Sequence, residues 1–228
     1  MRPSRDAIVY WGVGKTVLAG ATRALVPITA YGAERVPRDG GIVLAFNHLH
    51  WVDIPIFGAM CPRRIVYLAK VEAHRAPGLG TVIRAFGTLS IRRGESDRDA
   101  IRLAREAVRR NLALGVFVEG TRQRGGEPGE AKPGAAMIAM QEGVPVVPAA
   151  VFGSHRWSPR NRVPVSIAWG EPIRFEHLPR NSRGYKEATG EIEGEIRRLW
   201  EFLRDMDRLG HPAGVPPRRA SVPSRAES

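Results

Sequence analysis

The chain has 228 residues, 43% apolar and 25% charged, with a formal net charge of +12. That length suits one substantial core with a ragged end rather than two ordinary domains, and the charge predicts attraction to something anionic without choosing among nucleic acid, bilayer and phosphorylated substrate. A single cysteine, Cys61, excludes a disulfide framework within the chain and argues against a cysteine-based zinc site.

The N-terminus does not read as a cleaved signal peptide, because no clean apolar run and small-residue cleavage site follow Arg2 and Arg5. Residues 7–28 are apolar overall but contain Lys15, Arg23 and Pro27. A spanning helix needs roughly 20 mostly uncharged residues, so the stretch reads as helix lying on a membrane surface or packed on the protein's own core. A polar connector (YGAERVPRDGG) covers 31–41. GIVLAF at 41–46 is a short apolar run that predicts a buried strand, and Ile54–Met60 predicts a helix.

Further strands are expected at 64–69, 87–91, 116–118 and 163–169. Residues 71–86 read as a broken helix. Asp97–Leu114 is the clearest helix, with Ile101, Leu103, Ala104, Ala107, Val108 and Leu112 at helical spacing. A short helix follows at 135–142. The strand at 144–152 holds Pro145 and Pro148, which predicts an edge or irregular strand. A long helix covers 185–209, and the Pro-, Ser- and Arg-rich end from His211 reads as disordered. Strands alternating with helices predict an α/β fold: a mixed, largely parallel sheet flanked by helices.

NHLHWVD, directly after the 41–46 strand, places His48 five residues before Asp53. On one continuous helix the two would stand about 140° apart and would not meet. In a strand-turn-helix they can meet, and Pro55 suits a helix start. An imidazole can take a proton from an attacking alcohol, and a carboxylate on its other nitrogen fixes the tautomer and stabilises the imidazolium. No G-x-S-x-G elbow supplies an enzyme nucleophile, so the attacking hydroxyl belongs to a substrate. On spacing alone the pair reads first as a capping Asp and an incidental His; the segments that follow change that reading. His48 and His50 with Asp53 also read as half of a metal site, but the other histidines show no ligand-like pairing, so no metal is expected.

Three further segments follow in order: GTLSIRR, VFVEGTR and VPVVPAA. With NHLHWVD they resemble the four ordered motifs of the glycerophospholipid acyltransferases, of the 1-acylglycerol-3-phosphate acyltransferase type, over roughly residues 40–155. The resemblance implies His48 as general base and Asp53 as its partner. It implies an acceptor site of Arg93, Glu119, Gly120, Thr121 and Arg122, an acyl-donor side marked by Pro148, and Lys70 at a position often basic in the family. Arg92, Val118 and Gln123 depart from the usual residues and leave the acceptor open.

The implied reaction moves an acyl group from an acyl thioester, acyl-CoA or acyl carrier protein, to the free hydroxyl of 1-acylglycerol-3-phosphate, giving phosphatidic acid. No cofactor beyond that co-substrate is expected. The competing readings are another lysophospholipid or polar-lipid acceptor, and a non-catalytic anionic-lipid-binding protein. No nucleic-acid partner is expected, because no RNA-binding aromatic signature or zinc finger is present. The expected organisation is a membrane-associating helical segment at 1–30, an acyltransferase domain at 31–210 and a disordered basic tail at 211–228. The expected location is peripheral or monotopic, at the cytoplasmic face of the plasma membrane, against anionic lipids.

Overall fold

The computed structural model of the protein describes residues 16–17, 19–70, 89–91 and 97–219. Seven strands form the sheet: β1 (Ile28–Tyr31), β2 (Ile42–Phe46), β3 (Ile65–Lys70), β4 (Leu89–Ile91), β5 (Ala113–Phe117), β6 (Val146–Phe152) and β7 (Val165–Trp169). Their spatial order is β1-β7-β6-β2-β5-β3-β4. Every neighbouring pair is parallel except β6 and β7. Among the described residues the helices that flank the sheet after β2 are α1 (Asp53–Met60), α2 (Asp97–Arg109), α3 (Gly134–Glu142) and α4 (Ser182–Arg208). This is the mixed, largely parallel α/β sheet expected from the alternation of elements.

β2 is buried at all five positions because the sheet is covered on both faces. Ile42, Leu44 and Phe46 pack with Ile56 and Phe57 of α1. Val43 and Ala45 pack toward α2, α3 and α4 through Val108, Ala139 and Ile196. Gly115 of β5 is needed for close approach: a Cβ there would stand 2.6 Å from Ile65 Cγ2 and 2.7 Å from Tyr67 Cε1.

Several elements differ from the sequence expectation. α2 stops at Arg109 instead of running to Leu114: Asn111 takes a left-handed φ of 59°, and Leu112 N–H donates back to Ala107 O at 3.1 Å. The residues beyond enter β5. β1 falls where a helix end and connector were expected, and pairs with β7 at the sheet edge. β6 is no edge strand; it lies between β7 and β2. Its Pro148 fits because residue 148 faces the β7 side, where its carbonyl accepts Gly170 N–H at 2.8 Å. There the ladder is already interrupted, between the Ala149–Trp169 pair and the isolated Val146–Ile173 bridge, so the missing N–H leaves the β2 side intact.

Residues 16–25, with 18 outside the description, are helical; Ala19 and Val26 are buried while Val17 and Leu25 are exposed. Arg23 donates to Ala59 O at 3.1 Å near the end of α1. Among the described residues no helix is long and apolar enough to cross a membrane. The helix expected over 71–86 lies outside the described residues. Where the sequence reads disorder from His211, residues 211–219 follow a defined path back along the fold. Tyr31 Oη donates to Pro212 O (3.1 Å), Arg35 to Pro216 O (2.6 Å) and Arg198 to Arg218 O (2.9 Å).

Candidate active site

β2 delivers its C-terminal end into a turn that begins with a buried amide. Asn47 is fully buried, and a buried amide must find partners. Its Nδ2 donates to Val151 O at 3.1 Å and its Oδ1 accepts Val151 N–H at 2.8 Å. The side chain thereby extends the β2–β6 pairing one step past Phe46 and fixes where the next residue, His48, leaves the sheet.

The turn closes on Asp53, the first residue of α1. Asp53 Oδ2 lies 2.9 Å from His48 Nδ1 and also accepts the backbone N–H groups of Leu49 and His50, each at 2.7 Å. A carboxylate at a helix N-terminus is favoured by the helix dipole. His48 is off the helix, so the five-residue separation becomes a direct contact. Asp53 is fully buried, whereas the His48 side chain is 13% exposed. With Nδ1–H directed to Asp53, the Nε2 lone pair is the basic site, and no donor among the described residues is bonded to it. The ring stacks on Phe117 with centroids 4.0 Å apart and planes at 27°.

His48 is also held by its backbone. Its N–H donates to Glu119 Oε2 at 2.9 Å, and its carbonyl accepts Gln123 N–H at 2.7 Å. The other oxygen of Glu119 accepts Gly129 N–H at 2.9 Å. Glu119 is buried, and burial pushes its pKa up, with the Gly129 and His48 N–H groups opposing that shift. Both oxygens are occupied by backbone donors. The side chain expected in the acceptor site therefore braces two loops instead of facing a ligand.

The remaining expected residues divide. Gly120, with φ of 71°, turns the chain beyond β5, and Thr121 and Arg122 are exposed on that turn. The Gln123 hydrogen bond ties this turn to His48. Lys70 is the last residue of β3, in register with Ile91 of β4. Arg93 lies outside the described residues, two positions past β4. Pro148 is buried within the sheet with its Cγ against Gly170, three residues short of Val151, so the structure does not bring it to the turn.

Asn47 and Lys132 were not singled out from the sequence, and Gln123 was noted only as a departure from the family's usual residue. The signal for Asn47 was available: a polar residue directly after a wholly apolar strand. Lys132 N–H donates to Val118 O at 2.8 Å, and its Nζ lies 3.1 Å from where a Cβ on Gly120 would stand. His50, weighed as half of a metal site, lies between aromatic rings, with centroids 5.6 Å from Trp51 and 6.3 Å from Trp157. Burial lowers its pKa; Asp53 opposes the shift, and Arg122 and His48 add to it. Among the described residues no three His, Cys, Asp or Glu side chains group as metal ligands.

Residues 27–152 match the family described as acyltransferase. The chain is 29% identical over 187 residues to the 1-acyl-sn-glycerol-3-phosphate acyltransferase of Bacillus subtilis, covering 80% of this chain and 91% of that one. It is 34% identical over 187 residues to the lyso-ornithine lipid O-acyltransferase of Pseudomonas aeruginosa, covering 80% of this chain and 66% of that one. Its fold is that of the 1-acyl-sn-glycerophosphate (LPA) acyltransferase PlsC from Thermotoga maritima, with a TM-score of 0.70 at 24% identity over 90% of this chain and 84% of that chain.

Proposed function

The chain belongs to the acyltransferase family, and from that premise we propose that it transfers an acyl group from an acyl thioester to the free hydroxyl of 1-acylglycerol-3-phosphate, yielding phosphatidic acid. Its activity is that of an O-acyltransferase of glycerophospholipid metabolism. The observation that carries the chemistry is the His48 Nδ1–Asp53 Oδ2 contact at 2.9 Å, with the carboxylate buried and the imidazole partly open.

In the proposed step, His48 Nε2 takes the acceptor hydroxyl proton as that oxygen bonds to the thioester carbonyl carbon. The tetrahedral adduct collapses, the C–S bond breaks, and the imidazolium returns the proton to the leaving thiolate. Asp53 stabilises the imidazolium and holds the tautomer. Glu119 and Gln123 fix the backbone of His48. Arg122 faces the acceptor's anionic headgroup, on a turn that Gly120 and Thr121 shape; the motif resemblance adds Arg93 and Lys70 to that region. The donor is acyl-CoA or acyl carrier protein, and the step needs no resident cofactor.

The acceptor has a second reading. The lyso-ornithine lipid O-acyltransferase is a relative of similar strength, and Arg92, Val118 and Gln123 differ from the usual motif residues at the acceptor loops. We place the enzyme peripherally on the cytoplasmic face of the plasma membrane. Exposed Val17, Leu25 and Trp51 and the net charge of +12 support contact with an anionic bilayer.

The deciding experiment is thiol release by purified protein with acyl-CoA and acyl carrier protein donors against a panel of lyso-acceptors. Release that requires 1-acylglycerol-3-phosphate and disappears in His48→Ala is the expected result. Persistence of full release in His48→Ala refutes the assigned base.

A further inference from the structure

Trp51 lies on the turn between His48 and Asp53 with 47% of its surface exposed. The indole is braced from the protein side. Its ring meets that of buried Trp157 with centroids 6.2 Å apart and planes at 71°, and His50 borders both. Trp157 belongs to the connection from β6 to β7, residues 153–164. That connection leaves the sheet at the pole of His48, because β6 runs parallel to β2. Asn161 stitches it internally: Oδ1 accepts Ser158 N–H at 2.8 Å, and Nδ2 donates to Arg156 O at 2.8 Å. Arg162 donates to Ala24 O at 2.5 Å, next to exposed Leu25 in the N-terminal helical stretch. The exposed indole and that stretch are thereby joined through one bonded loop.

The charge around this surface is one-sided. No acidic residue occurs between Glu142 and Glu171, nor between Asp6 and Glu34. Within the β6–β7 connection, Arg156 pairs with Asp207 at 3.1 Å, Arg162 is engaged by Ala24 O, and burial lowers the pKa of His155. Arg160 is exposed and forms no ion pair among the described residues. The loop beyond β5, at the same pole, carries Arg122, Arg124 and Lys132 against Glu127 and Glu130, so it does not cancel the surplus.

We propose that Trp51 and Arg160 form a lipid-docking element in addition to the N-terminal segment: the indole enters the headgroup layer of an anionic bilayer, and Arg160 meets its phosphates. This rests on the reading of the enzyme as one that works at a membrane surface. Tryptophan is favoured at a membrane–water interface, where its apolar ring and polar N–H find different surroundings. A cation beside an anionic leaflet strengthens binding about fivefold. Trp51 is three residues from His48 and two from Asp53, so docking sets the turn that carries the base against the layer that holds an amphiphilic acceptor.

The test uses full-length wild type, Trp51→Phe and Arg160→Ala with vesicles of phosphatidylcholine alone or mixed with phosphatidylglycerol. Brominated acyl chains in the vesicles quench any indole that reaches the bilayer. The emission of wild type minus that of Trp51→Phe isolates one ring. That difference is expected to shift to the blue on mixed vesicles and to be quenched by brominated lipid; a difference left unquenched overturns the docking of Trp51. Arg160→Ala is expected to weaken partition onto mixed vesicles about fivefold and to leave binding to phosphatidylcholine unmoved. Unchanged partition, or equal weakening on both vesicles, overturns the contact with anionic lipid. Unchanged partition with a raised KM for an acyl carrier protein donor overturns it too and reassigns Arg160 to that acidic partner. Neither vesicle readout uses turnover, so absence of acyl transfer by wild type overturns the acceptor reading and leaves this test decisive.

Discussion

Glu119 holds His48 by the backbone: its Oε2 accepts the His48 N–H at 2.9 Å while its Oε1 accepts Gly129 N–H at 2.9 Å. A carboxylate can accept both; an amide at the same position presents a donor to one of the two N–H groups. Glu119→Gln is expected to lower kcat about tenfold or more with a smaller change in KM, because the base is displaced while the acceptor loop persists. The raised pKa adds a second signature. A folded-state value above the ordinary one means that folding favours the protonated form. The stabilising contribution is fully present in acid, below the unfolded-state value, and is lost as pH rises through the folded-state value. Melting temperature of wild type minus that of Glu119→Gln should therefore fall as pH rises from acid toward neutral. A difference that is flat or rises contradicts the burial-driven shift.

Asp53 carries three donors on one oxygen, so Asp53→Asn tests catalysis and architecture together. An Asn amide cannot stabilise an imidazolium and favours the wrong tautomer. The expected loss in kcat is on the order of 10³- to 10⁴-fold. If Oδ1 of the Asn still caps Leu49 and His50, the unfolding midpoint falls only slightly. Steady-state kinetics paired with thermal unfolding separate the two effects. A kcat close to wild type removes Asp53 from the mechanism.

The Asn47–Val151 pair predicts a stability defect with a catalytic consequence. Asn47→Ala strips partners from a buried N–H and a buried carbonyl. The expected cost is about 2–4 kcal/mol of folding stability, read from urea unfolding. Asn47→Asp keeps an acceptor for Val151 N–H but turns a second acceptor toward Val151 O, so it should be no better than Ala. A loss below about 0.5 kcal/mol in Asn47→Ala contradicts a structural role for this pair.

His50 predicts a pH effect of opposite sign to that of Glu119. Burial lowers its pKa, so folding favours the neutral ring. That contribution is present above the ordinary imidazole value and is lost as pH falls through the depressed folded-state value. Wild type should lose stability relative to His50→Phe as pH drops from about 7.5 to about 5. NMR titration of the ring gives the midpoint directly, and a midpoint at or above the ordinary value excludes the effect.

Much of this arrangement is legible in the sequence, and the exceptions have physical causes. The run Ile42–Phe46 reads as a buried strand because both faces of β2 are covered. The helix from Asp97 is overextended because Leu112 continues the spacing set by Ala104 and Val108, and its stop is an Asn instead of a Gly or Pro. β1 is four residues long and exists through pairing with β7, more than a hundred residues away, which no local pattern reports. Pro148 reads as an edge signal because sequence does not reveal toward which neighbour its nitrogen points. Glu119 follows the same logic at the site. Its place beside Gly120 and Arg122 suggests a shared role, yet its side chain turns inward while Gly120 and Arg122 lie exposed. The His48–Asp53 contact was readable because a strand-turn-helix leaves few ways to arrange five residues.

Among the described strands the one antiparallel pair, β6 with β7, has a topographic consequence. β1 runs parallel to β7, and β6 runs parallel to β2, so β1 starts at the end of the sheet where β2 finishes. The helical segment that leads into Ile28 therefore joins the sheet at the end that presents His48. Had β7 and β1 followed the direction of the other strands, that segment would attach at the far rim, a full strand length from the base. For the amphiphilic acceptor proposed above, this single reversal shortens the route: the segment proposed to meet a lipid surface and the ring proposed to take the proton share one pole of the sheet.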